Sequence, residues 1–106
     1  MKKGGLLVTA YIPRYYIFQY IATSDEKCFW TDTYYSSKDE MESVYKKHGL
    51  RIADHFAQDS LTPLLSQKAD KWDEKQFKIW CDYHYSVCRE QSVLGASNHV
   101  VIIGEK

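Results

Sequence analysis

Between Leu6 and Ile12 every residue except Thr9 is apolar, so both alternating faces of an extended chain are hydrophobic. Such a run predicts a strand buried on both sides. Gly4-Gly5 marks a turn before it. Pro13 stops it and suits the first turn of a helix, so a short aromatic helix is expected over Tyr15 to Ala22, ahead of the polar loop Thr23 to Lys27. Cys28 to Tyr35 is aromatic and β-branched without clean alternation, and reads as a loop that packs rather than as a sheet strand.

Ser37-Lys38-Asp39-Glu40 has the spacing of a capping box. Met41, Val44, Tyr45 and His48 follow at i, i+3, i+4 and i+7, and Gly49 stands at the terminator position, which predicts a helix. Leu50 to Ala57 reads as a strand, and its Arg51, Asp54 and His55 assign it to a sheet edge. Thr62-Pro63 opens a short helix to about Lys68, and Asp73, with Gln76 three residues on, caps a longer one. In that helix Phe77, Trp80, Cys81, His84 and Cys88 form one stripe and Ile79, Tyr83 and Val87 a second, which predicts cover on more than one side. Gly95 to Asn98 reads as a turn, and His99 to Ile103 as a last strand, apolar on both faces and ended by Gly104. Strand, helix, strand, helices, strand, with no repeat or linker, amounts to one α/β domain over residues 1–106.

Composition narrows the function classes. With 44% hydrophobic and 15% aromatic residues the chain is not intrinsically disordered. Residues 1–50 carry seven basic and six acidic side chains and residues 51–106 seven and eight, so no charge excess recommends nucleic acid. The longest apolar runs fall far short of the ~20 residues that span a bilayer. Lys2 and Lys3 resemble a signal-peptide start, but the apolar run behind them ends at Pro13 and Arg14 without a cleavage site, so a cytoplasmic product is expected. Three cysteines without a C-x-x-C pair fit a reducing compartment. Cys81 and Cys88, with Cα atoms about 10 Å apart on a helix, are beyond disulfide reach. The same separation defeats a zinc reading of Cys81, His84 and Cys88, and no metal ligand set is expected.

Three stretches together resemble the C-terminal part of bacterial class I S-adenosylmethionine-dependent methyltransferases. They are Gly4-Gly5-Leu-Leu-Val-Thr-Ala-Tyr-Ile-Pro-Arg14, the Tyr-x-Ser-x-x-Glu-Met stretch from Tyr35 to Met41, and Cys88-Arg-Glu-Gln-Ser-Val-Leu-Gly-Ala-Ser-Asn-His99. The last is the most specific. The resemblance implies a partial Rossmann-like fold with a three-stranded mixed sheet: first and second strands parallel, last strand antiparallel between them. It implies methyl transfer from S-adenosylmethionine to a small-molecule acceptor. The family's glycine-rich E/D-x-G-x-G-x-G turn and the acidic residue ending its second strand are absent from this sequence. The chain therefore reads as the C-terminal third of the enzyme, without the cofactor-binding half, and S-adenosylmethionine is not expected to bind it alone.

Ligands of open α/β sheets sit beyond the carboxyl ends of the parallel strands. That rule, with an antiparallel last strand, places Arg14, Asp59, Asn98 and His99 at one edge as candidate acceptor-binding residues. A local alternative is that Asn98 caps a turn and His99 satisfies a backbone group. Arg89 reads as a cap on helix carbonyls. The aromatic group of Tyr15, Tyr16, Phe18, Tyr20, Phe29, Trp30, Tyr34 and Tyr35 is either a lid or a satellite core. Two other functions stand beside the enzyme segment: a non-catalytic dimeric or ligand-binding module, and a subunit completing a separate N-terminal partner. The uncharged run from Leu6 to Ile12, an open edge without its neighbour, predicts a homodimer through the first strand.

Overall fold

A turn closed by the Gly5 amide on the Lys2 carbonyl at 2.9 Å launches the first strand, and Gly4 supplies its positive φ of 81°. The computed structural model describes residues 2–14, 35–60 and 62–106. Along the chain these form β1 (Leu6–Pro13), β2 (Tyr35–Ser36), α1 (Lys38–Lys47) and β3 (Arg51–Ala57). A 3-10 turn (Thr62–Leu65), α2 (Ser66–Ala69), α3 (Glu74–Val87), α4 (Gln91–Ala96) and β4 (Val100–Glu105) follow. The aromatic helix expected over Tyr15 to Ala22, the loop Thr23 to Lys27 and nearly all of Cys28 to Tyr35 lie outside the described residues, and with them most of the aromatic group.

The sheet is mixed and open, in the order β2-β1-β4-β3. β4 is antiparallel to β1, from Leu6 opposite Glu105 to Tyr11 opposite Val100, and antiparallel to β3, with a bulge between Ile52 and Asp54. β1 and β3 therefore run parallel, with the last strand between them. The sheet has four strands rather than the expected three. Tyr35 and Ser36 pair in parallel with Ile12 and Pro13, and the Arg14 amide reaches the Ser36 carbonyl at 2.8 Å, so the end of the supposed packing loop is sheet. At the other end of β1 the Gly4 amide donates to the Lys106 carbonyl and the Lys106 amide to the Gly5 carbonyl.

One face of the sheet carries the core: Tyr11, Ala57, Val100 and Ile102 pack with Tyr45 of α1, Leu50, Cys88 and Leu94 of α4. The Tyr45 ring packs against Gly104, where a Cβ would stand 2.6 Å from the ring, so close approach, not a strand end, explains that glycine. The opposite face departs from expectation. Leu6 and Val8 are 63% and 61% exposed and Ala10 is exposed, so β1 is buried on one side only. Apolar alternation recorded the composition of both faces but not which face a helix covers.

Helix α1 starts as its sequence dictates, with the Glu40 amide donating to Ser37 Oγ at 3.2 Å. α3 has both bonds of the Asp73–Gln76 capping box. Its cover is thinner than two apolar stripes predict: Phe77, Ile79 and Tyr83 are exposed, and His84 is its one buried residue. Gly95 and Ala96 belong to helix α4 rather than to a turn. Glu90 at the N-cap makes no side-chain bond, so the start of this helix carries no local signal. No helix among the described residues is long and apolar enough to cross a membrane.

Candidate functional site

Because β1 and β3 are parallel and β4 starts beside their ends, the edge holding Arg14, Asp59, Asn98 and His99 is shared, and the structure sorts the four into two groups. Asp59, Asn98 and His99 form a knot. Asp59 Oδ1 accepts from the amides of Asn98 and His99, each at 3.1 Å, and from the Ser97 hydroxyl at 2.6 Å; Oδ2 lies 3.1 Å from His99 Nδ1. Ser97 Oγ in turn accepts from the Ser60 amide at 2.9 Å. The carboxylate is thus committed to holding the loop after β3 against the start of β4. Asn98 Oδ1 is buried without a hydrogen-bond partner among the described residues.

Arg14 stands apart from that knot and pairs with Glu40 at 2.6 Å. It lines a cleft of about 690 Å³ between the carboxyl end of β1, the first turn of α1 and helix α4. Tyr11, Pro13, Leu94 and Ala96 give the cleft apolar walls, while Ser36, Ser37 and Gln91 add polar groups. Lys38 at the rim pairs with Glu42 at 3.1 Å.

A buried relay stands behind the cleft. Glu42 Oε1 is 3.0 Å from His55 Nδ1, and His55 Nε2 is 2.7 Å from the Tyr11 hydroxyl. The carboxylate can only accept, so Nδ1–H donates to it and Nε2 is left to accept from Tyr11. Burial, reinforced by the negative charge of Glu42, pushes the Tyr11 phenol well above its ordinary value, so it acts as a neutral donor and not as a phenolate base. Burial works against the Glu42 anion, but hydrogen bonds from His55 and Lys38 outweigh it and hold the carboxyl below its usual range.

Compared with family models, curated proteins and solved structures, the chain matches none.

Two further readings of single residues are settled by geometry. Arg89 does not cap helix carbonyls; its Nε and Nη2 grip both oxygens of Asp54 at 2.8 Å, and its guanidinium stands 5.8 Å from the Phe56 ring centre. This bidentate grip lowers the Asp54 carboxyl. His84 stacks on Trp80 with ring centres 4.9 Å apart and its Nδ1 is 3.0 Å from Ser60 Oγ, so the Cys81-His84-Cys88 stripe is packing. Among the described residues no three His, Cys, Asp or Glu side chains are grouped to hold a metal ion.

Glu42, His55, Ser36 and Gly95 were not assigned to the site by sequence. The relay joins three separate elements and leaves no spacing signature; the one hint was His55 interrupting an otherwise apolar strand.

Proposed function

We propose that the chain is the C-terminal, acceptor-side segment of a class I S-adenosylmethionine-dependent methyltransferase, and that the cleft at the carboxyl end of β1 receives the methyl acceptor. The observation that carries this reading is the strand order. An antiparallel last strand seated between two parallel strands is the insertion implied by the sequence resemblance, and it also brings β4 to the edge where open α/β sheets take ligands.

The residues present do not fit the cofactor. Its usual cradle is a glycine turn at the carboxyl end of a strand, where the backbone can approach the ligand. Here the glycines with positive φ, Gly4 and Gly49, precede β1 and β3 and so lie at the opposite edge. The part left to this chain is to bind and orient an acceptor. Burial keeps the Tyr11 phenol protonated with its O–H given to His55, and Ser36 and Ser37 line the cleft with hydroxyls.

The test begins with the DNA upstream of Met1. The expected result is a continuous or frameshifted reading frame encoding a G-x-G-x-G turn, whose joined product binds S-adenosylmethionine in calorimetry while the 106-residue chain does not. Micromolar binding by the chain alone, or an unrelated upstream sequence, overturns the proposal. A non-catalytic dimeric module is the second reading, favoured by the exposed apolar face of β1.

A further inference from the structure

We infer that the cleft selects an uncharged, flat, mainly apolar small molecule carrying one hydroxyl or amino group at its buried end. This rests on the acceptor-side reading in taking that molecule for the methyl acceptor. A volume of about 690 Å³ suits a small-molecule ligand. Three features of the walls define the class.

Two of the three charged side chains lining the cleft are paired, and the third, Asp39, is exposed in the first turn of α1, where its charge complements the helix N-terminus. Arg14 faces Glu40 and Lys38 faces Glu42, so an anion must break an ion pair to gain a partner, and the water-exposed Asp39 carboxylate repels it while giving a cation little in return for the hydration that cation loses. A neutral ligand meets neither penalty.

The buried polar group is Ser36, which is 1% exposed. Its hydroxyl contacts the Ser37 carbonyl only at 3.5 Å, beyond the usual O–H···O range, so it keeps its capacity to donate and to accept. One hydroxyl or amino group on the ligand satisfies it. Tyr11, Pro13, Leu94 and Ala96 accommodate an apolar body.

Gly95 supplies the shape. It lies within helix α4, where glycine costs about 1 kcal/mol relative to alanine. Its φ is not positive, and a Cβ built on it meets nothing within 4 Å. Neither backbone conformation nor packing therefore requires glycine here. The missing side chain leaves bare backbone on the cleft wall, against which a planar ring can lie closely.

The experiment uses the full 15N-labelled chain with three probes of one shape: 2-naphthol, 2-naphthoate and 2-naphthylmethylammonium. The expected result is that 2-naphthol saturably shifts the Ser36, Leu94 and Gly95 amide signals, binding at least about tenfold tighter than either ion. Gly95→Phe, whose new ring enters open space, abolishes these shifts with the circular dichroism spectrum and melting temperature retained, and Ser36→Ala weakens them several-fold. Equal or tighter binding of a charged probe, unchanged binding by Gly95→Phe, shifts centred elsewhere, or no saturable binding overturns the inference. Cofactor binding by the joined polypeptide is insensitive to Gly95→Phe, so failure here and failure of the methyltransferase reading are separate results.

Discussion

The hydroxyl of Tyr11 on β1 donates to Nε2 of His55 on β3 across the intervening strand, at 2.7 Å and with both residues buried. The bond spans the width of the main sheet, so its loss is felt globally. Tyr11→Phe keeps the ring and strands the imidazole nitrogen, and is expected to lower unfolding stability by about 1–3 kcal/mol. Urea denaturation checks this, and an unchanged midpoint contradicts it.

Acid weakens the fold through two carboxylates. Glu42 is held below its usual range by His55 and Lys38 against the effect of burial, and Asp54 by the hydrogen bonds of Arg89. Because each folded-state value lies below that of the unfolded chain, each contribution is fully present above the unfolded value and disappears as pH falls through the folded one. Stability is therefore expected to decline from roughly pH 5 downward. Glu42→Gln makes that decline shallower while lowering stability at neutral pH. Urea midpoints measured at a series of pH values test the difference in slope; parallel curves for the two proteins reject it.

Gly104 carries a sharper prediction. An added Cβ would stand 2.6 and 2.7 Å from two carbons of the Tyr45 ring, which cannot swing away because it is buried and its hydroxyl bonds to Thr9 Oγ1. Gly104→Ala is expected to cost about 1–3 kcal/mol. Combined with Tyr45→Leu it should cost less than the two changes added separately, since the clash is then gone. Strict additivity in a thermal or urea double-mutant cycle rules out the clash.

What the sequence disclosed depended on how local the cause was. Ser37 and Asp73 announce their helices because a cap acts within one turn, and the uncharged run after Gly5 announces β1. Half of the expected Ser37 box is missing because Glu40 turns to Arg14, a partner 26 residues away. Arg89 finds Asp54 across 35 residues, and no helix-end rule foresees that. The placement of Arg14 apart from Asp59 and His99 has the same origin: the strand order predicts a shared edge, but Glu40 on α1 engages Arg14 while Asp59 is taken up by the start of β4.

Self-association is expected at the outer edge of β1. β2 pairs only with Ile12 and Pro13, so among the described residues Leu6 to Tyr11 has no strand on that side, and its exposed face carries Leu6, Val8 and Ala10. No charged side chain protects the run. A second copy, pairing antiparallel about a two-fold axis, closes both edges at once. Light scattering at micromolar concentration should give twice the 12.5 kDa mass of the chain, and Val8→Lys should return it to a monomer with its circular dichroism unchanged. A monomeric unsubstituted chain refutes the arrangement.

The hydrogen bonds between Gly4 and Lys106, and between Lys106 and Gly5, bring the described ends of the polypeptide to one corner, at the start of β1. The cleft lies at the finish of that eight-residue strand, roughly 25 Å away. Fluorophores or affinity tags attached there thus stay clear of the cleft. The same proximity makes the molecule suited to circular permutation: a short linker joins the old ends, and new ones open at the exposed Asp70-Lys71 turn without cutting any strand or either wall of the cleft.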